Sequence, residues 1–284
     1  MTERDPFQEA ALAGLPVNSE RVVDVHGHCA GIAEPAGPAA RSWPLSAQAL
    51  LAAMDRVGEV HLVFSHFDAL RTTTPGGLTA AQADADQILR HAAGRLSAHV
   101  VLHPCFPAEV RAQLDALPPQ AAWVGAKLHG ELHDVRALSP RLEPLLARCE
   151  ELGLAVLLHV HPADGLDDIA ALAARYPRLN FVLAHLWPRH AGAAAAFRAH
   201  PNLFTDTSLS YGPPDAVGRM VDTVGADRVV YGSDASYLGM GGQLAKVACA
   251  PLSLDAKRRI FAANALRALP RLARRLVDLN LTNP

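Results

Sequence analysis

Few of the features that mark specialised proteins occur in this sequence. There are only four cysteines in 284 residues, Cys29, Cys105, Cys149 and Cys249. They show no CxxC spacing and no regular pattern, which argues against a disulfide framework and for a compartment where thiols stay reduced. No uninterrupted apolar run reaches the roughly 20 residues needed to cross a bilayer, so no membrane association is expected. Met1 to Glu20 mixes Glu3, Arg4, Asp5 and Glu9 with scattered apolar residues, without the basic start and apolar core of a secretory signal. No Lys/Arg cluster interleaves with aromatics, and a formal charge of −2 gives no reason to expect a polyanion; nucleic acid is not an expected partner. Neither a Walker A sequence nor a G-x-G-x-x-G loop is present, which excludes the usual nucleotide cofactors. The expectation is a cytoplasmic protein acting on a small molecule.

What is present is an ordinary globular composition, 50% hydrophobic and 19% charged, in a chain long enough for one α/β barrel. Short β-branched apolar runs alternate with a loop carrying Gly, Pro or His and then an Ala/Leu-rich amphipathic stretch, the pattern of βα units around a parallel sheet. Eight strands are predicted: Arg21 to His26, Val60 to Ser65, Ala98 to His103, Trp123 to His129, Ala155 to Val160, Asn180 to His185, Asn202 to Asp206 and Arg228 to Gly232. Helices are predicted at Ser46 to Val57, Ala80 to Ala93, Ala108 to Ala116, Pro140 to Leu152, Gly165 to Tyr176, Ala191 to His200, Asp215 to Val224 and Leu254 to Leu266. From Asp24 to Asp234 the chain makes seven βα steps of about 30 residues each, what a βαβ unit needs. The expected fold is a (β/α)8 TIM barrel, a single domain over 21–284 behind an N-terminal extension, 1–20.

Fourteen histidines are present, and eight (His26, His28, His66, His103, His129, His159, His161, His185) fall at or just beyond predicted strand carboxyl ends. In a (β/α)8 barrel that end carries the active site. The sharpest motif is Asp24-Val25-His26-Gly27-His28: alternation along a strand points His26 and His28 to one face, where two imidazoles can share a metal ion. The same alternation places Asp24 deeper on that face, to orient a ligand. Later strands end with His159, His185 and Asp234, and a carboxylate beside histidines can offset metal charge and accept a proton from a water acidified by the ion. Asp234 is therefore the candidate general base. His161, two residues beyond His159, rivals it as a ligand. His66, His103, His129, His161 and Trp187 are candidates for the substrate pocket, whereas His61, His91, His99, His190 and His200 read as surface or packing residues. Cys29 should point away from the site, and Ser233 lacks the G-x-S-x-G context of a nucleophile. Gly31 to Trp43 and Arg71 to Thr79 read as rims or lids.

The motifs DVHGH, GAKLHG, LLHVHP, FVLAHLWP, FTDTSLS, VVYGSD and IFAANALRAL span almost the whole chain. In these the sequence resembles the amidohydrolase superfamily, in particular the amidohydrolase-related branch of aminocarboxymuconate semialdehyde decarboxylase-like proteins. The resemblance implies a metal held by His26, His28, His159 and Asp234, with His185 beside it to polarise a substrate oxygen or assist proton transfer. In binuclear relatives the fourth-strand lysine, here Lys127, is carboxylated and bridges two ions, with His185 on the second; in the mononuclear branch it is often unmodified, a charged group near the substrate or in an internal ion pair. One divalent ion is expected, with zinc first and manganese, iron or cobalt able to take the same donors. The leading reading is hydrolysis of an amide, ester or lactone by activated water. Non-oxidative decarboxylation or hydration of a small carboxylic acid is the alternative, and a non-catalytic barrel would show a missing ligand, which this sequence does not. A homodimer is compatible with such a barrel.

Overall fold

The computed structural model describes residues 4–34, 44–119, 122–187, 192–210 and 212–281. Strands β1 (Val23–Cys29), β2 (His61–His66), β3 (Leu96–Val101), β4 (Trp123–His129), β5 (Ala155–His159), β6 (Phe181–Leu183), β7 (Leu203–Asp206) and β8 (Val229–Val230) form one sheet in sequential order. Every neighbouring pair is parallel, with registers such as Leu62 opposite Leu96 and Asp206 opposite Val230. The sheet curls until the chain after β8 returns to β1: the Val25 N–H donates to the Tyr231 carbonyl (3.1 Å), the Asp234 N–H to the His26 carbonyl (2.7 Å), and Gly27 bridges in parallel to Ala235. This is an α/β fold of eight parallel strands with the arrangement of a TIM barrel.

All eight expected strands are found, because each is an apolar run stopped by polar or turn-forming residues. Two buried clusters separate the faces of the sheet. Val23, Val63, Val124, Leu157, Val182, Phe204 and Val230 gather with Leu272 and Leu276 of helix Pro270–Asp278. The opposite faces, including Leu62, Leu96, Leu158 and Leu203, pack with Leu50, Met54, Ile88 and Leu146 of the surrounding helices. Ser46 caps helix Ala47–Val57 through the Ala49 N–H, and Gly58, at φ 83°, ends it in the left-handed conformation that glycine adopts without strain.

The structure departs from the expected elements in five places. Helix Pro6–Ala13 opens the described chain, capped by Asp5; its Phe7 is buried and stacks on Phe261 at 4.5 Å. Helix Met240–Ala248 begins in a Gly-rich run that reads as loop, and Pro270–Asp278 follows a proline that reads as a stop. The helix expected over Leu254 to Leu266 is Leu254–Arg258, a π-helical turn Arg259–Ala263 and then Asn264–Ala268. A π turn leaves a carbonyl out of the regular ladder, and here the Ile260 carbonyl accepts the Tyr231 N–H at 2.8 Å, tying the helix to the strand end. Of the expected rims, residues 35–43 lie outside the described set; Arg71 to Thr79 is split between helix Phe67–Arg71, a three-residue link, and helix Pro75–His91.

The interior also holds neutral histidines. His61 sits 2.9 Å from Ser97 Oγ, and His99 donates from Nε2 to the Val25 carbonyl at 3.0 Å. Burial pushes both down from 6.5 to about 3. An unfolded chain then binds protons that the folded chain refuses, so stability falls as pH drops below 6.5 and goes on falling until about 3. At pH 5 each histidine costs about 2 kcal/mol. Melting temperature of the chelator-treated protein is therefore expected to drop between pH 7 and pH 5, and to drop less steeply in His61→Asn; a flat profile would contradict the assignment.

Candidate metal centre

The carboxyl ends of the strands surround a cavity of about 420 Å³ lined by His26, His28, Arg71, Lys127, His129, Glu131, Leu132, His159, His185, Leu209, Ser210, Asp234 and Tyr237. His26 and His28 come from β1, which carries a register shift between Asp24 and Gly27. That bulge corrects the simple alternation expected for this motif. Asp24 does not join the histidines; it accepts the N–H groups of His26 (2.9 Å) and Ser233 (3.1 Å) and so fastens β1 to the segment after β8. Burial raises the Asp24 carboxyl to about 7 against the pull of these bonds.

Asp234 reaches the cavity from a left-handed backbone, φ 56°, and His185 from one at φ 68°. Such conformations are strained for residues with a Cβ and are kept where the surroundings fix them. Gly232 stands where the wall is tight: a Cβ there would lie 3.0 Å from His26 Cβ and 3.1 Å from Asp206 Cβ.

Three donors converge. His28 Nε2 is 3.1 Å and His26 Nε2 3.4 Å from Asp234 Oδ1, and the three ligand atoms lie within 4.8 Å of one another. His26 Nδ1 donates to the buried Asp206 Oδ2 at 2.7 Å, which fixes the tautomer and leaves the Nε2 lone pair facing the cavity, as in carboxylate–histidine–metal arrangements. That lone pair here accepts from Lys127 Nζ at 3.0 Å. Burial would raise the Asp234 carboxyl, but His26 and His28 outweigh it and hold the group well below the usual carboxylate range. Burial lowers Lys127 to about 8, with Asp234 and Asp206 pulling the other way. Two imidazole nitrogens and an ionised carboxylate fit a divalent cation.

His159 faces the same cavity but lies apart from this donor group. Its Nδ1 is 3.0 Å from His185 Nε2 and its Nε2 2.9 Å from Glu131 Oε2, with His129 stacked on its ring at 3.9 Å. His26, His185 and Asp206 make a second convergent trio, yet Asp206 is already engaged. Its Oδ1 accepts the N–H groups of His185 and Ser208 and the Ser208 hydroxyl, and its Oδ2 holds His26. This trio is a hydrogen-bonded brace.

The residues expected to touch substrate separate. His129 lines the cavity. His66, His103, His161 and Trp187 are not among its lining side chains: His66 turns to Asp84 (2.8 Å), His103 to the Thr72 carbonyl (3.1 Å) and His161 to Asp134 (3.2 Å), and Trp187 packs half-buried on the helix-side core. The sequence reading gave no role to Asp206, Ser208, Glu131 or Tyr237, and placed Arg71 only at the start of a rim. Asp206 left a trace, as the acid ending a strand in FTDTSLS; Arg71 and Tyr237 sit in loop-flanking positions with no periodic signal.

Because Asp206 sets the His26 tautomer, Asp206→Asn is expected to weaken binding of added manganese by about 10–100-fold while the secondary structure is kept. Metal titration followed by calorimetry checks this, and unchanged affinity would remove Asp206 from the site.

The amidohydrolase family pattern matches residues 23–271. No curated protein matches the chain, but many solved structures do. The 5-carboxyvanillate decarboxylase of Sphingomonas paucimobilis is 18% identical, with a TM-score of 0.69 over 89% of this chain and 99% of that one. The 2,6-dihydroxybenzoate decarboxylase from Rhizobium is 15% identical, with a TM-score of 0.64 over 88% of this chain and 98% of that one. The dihydroxybenzoic acid decarboxylase of Polaromonas sp. JS666, solved with manganese and the inhibitor 2-nitroresorcinol, is 14% identical, with a TM-score of 0.67 over 88% and 96%. With a family match that runs from β1 into the last helix, the chain belongs to the amidohydrolase family.

Proposed function

We propose that this protein is a metal-dependent, non-oxidative decarboxylase of a small hydroxyaromatic acid, working as one (β/α)8 unit over residues 21–284 behind an N-terminal extension, 1–20. The lining of a single cavity carries the reading. A buried donor set of His26, His28 and Asp234 shares it with two cations, Lys127 and Arg71, and with the apolar surfaces of Leu132, Leu209 and Tyr237. A flat ring bearing a carboxylate matches that mixture. The similar structures support the same class, since their proteins are decarboxylases of hydroxybenzoates and a carboxyvanillate. Manganese in one of them supports that ion beside zinc, iron or cobalt.

His26, His28 and Asp234 would hold the ion, with His159 as the proposed fourth ligand. When bound there, a divalent cation supplies a Lewis acid toward the substrate oxygens. Arg71 and Lys127 draw the anionic substrate in. Asp234, kept ionised, takes a proton from the substrate hydroxyl and hands it to the ring carbon that bears the carboxylate. The carbon–carbon bond then breaks, its electron pair restores the aromatic ring, and carbon dioxide leaves. His185 steadies a substrate oxygen or assists that transfer. We read a single ion there rather than a pair bridged by a carboxylated Lys127.

Hydrolysis of an amide, ester or lactone, the first expectation from the sequence, becomes the second reading. The ionised Asp234 also suits removal of a proton from water, but the similarity to decarboxylases weighs against it. A reducing, cytoplasmic setting is in keeping with four free cysteines, and we place the protein there, as a small-molecule enzyme able to pair as a homodimer.

The test is a panel of hydroxybenzoates, lactones and amides offered to the manganese-loaded protein, with carbon dioxide release and acid formation measured side by side. Release from at least one hydroxyaromatic acid is expected, as is a loss of about 10²–10⁴-fold in turnover in Asp234→Asn. Lactone or amide cleavage with no carbon dioxide from any acid would reverse the order of the two readings, and near-normal turnover in Asp234→Asn would end its role as proton carrier.

A further inference from the structure

Beyond β7 the chain leaves the sheet at the cavity mouth, where backbone groups lose their ladder partners and need others if they are buried. At Leu209 one side chain supplies both. Gln243, buried on helix Met240–Ala248, accepts the Leu209 N–H through Oε1 and donates from Nε2 to the Leu209 carbonyl, each at 3.2 Å. Lys246, one turn along, donates to the same carbonyl at 3.2 Å and to Gln243 Oε1 at 2.5 Å. The amide thus stands in for a missing neighbouring strand. The residue it grips is a wall of the cavity, and the preceding one, Ser208, joins Asp206 to His185, with Oγ 2.9 Å from His185 Nδ1.

We propose that Gln243 is a positioning residue for substrate: backed by Lys246, it fixes Leu209 as the apolar wall against which the ring of the substrate rests. The inference rests on the decarboxylase reading for the kind of substrate. The clamp itself does not. Gln243 touches none of the convergent donors, so its removal should loosen the pocket without emptying the metal centre.

A purely structural clamp is available for comparison at the other end of the same strand. Asn202, also buried, has its Nδ2 3.0–3.1 Å from the carbonyls of Ala173, Tyr176 and Leu179, which share its two N–H donors, and it does not line the cavity. In the manganese-loaded protein, Gln243→Ala is expected to raise KM for the accepted hydroxyaromatic acid about tenfold with kcat changed less than about threefold. Amide exchange over residues 206–210 should quicken, and manganese affinity should hold. Gln243→Glu, which keeps the acceptor but sets a carboxylate oxygen against the Leu209 carbonyl, should shift KM the same way and serves if the alanine variant folds poorly. Asn202→Ala should lower the melting temperature and leave KM unchanged. An unmoved KM in both Gln243 variants, or an equal rise in Asn202→Ala, overturns the proposal. If the wild-type protein releases carbon dioxide from no acid, the substrate class has failed instead, and the exchange measurement decides the clamp: unaltered exchange over 206–210 in Gln243→Ala overturns it.

Discussion

The bond between His26 Nδ1 and the buried carboxylate of Asp206 sets the geometry on which the rest of the cavity depends. It joins β1 to β7 across the interior, commits the His26 ring to one tautomer and turns the other nitrogen toward the cavity. Without it the ring could rotate or take its proton on the wrong side, and the meeting of His26, His28 and Asp234 would lose one donor. Asp206 is in turn held by Ser208 and by the His185 N–H, so the orientation of one imidazole is secured by three strand ends at once. Networks of this kind stabilise only when every member is satisfied, and Asp206 is fully engaged.

Around that bond the cavity balances charge within a small volume. Lys127 is buried, and Asp234 and Asp206 favour its cationic form against the cost of burial. Asp234 is kept anionic by the two histidines that face it. Arg71, Lys127, Glu131 and Asp234 thus set both signs of charge around one cavity.

Much of this was legible in the sequence. The period of about 30 residues gave all eight strands, since burying apolar runs between helices leaves a strong pattern. The carboxyl-end rule brought His26, His28, Lys127, His159, His185 and Asp234 to one cavity. Alternation failed at Asp24 because a bulge in β1 changes the phase between Asp24 and Gly27, and a bulge has no signature in a single sequence. His66, His103 and His161 satisfy the same strand-end rule yet turn away, each captured by a nearby acceptor in a loop whose path the sequence does not give. Asp206 was passed over because a lone acid at a strand end resembles any polar cap until its partner, far away in the chain, is known. Helix Met240–Ala248 was hidden by its glycines, and with it Gln243.

The pairing of His28 with Asp234 has a consequence for assembly of the fold. These side chains come from the first and the last walls of the sheet, so the contact lies across the seam where the ring of strands must shut. A cation seated there would act as a reversible cross-link between distant stretches of the chain, removing disorder from the unfolded ensemble as any long-range tether does. Loading the centre would then add a side-chain tie to the backbone bonds that already close the junction of the first strand with the chain after the eighth.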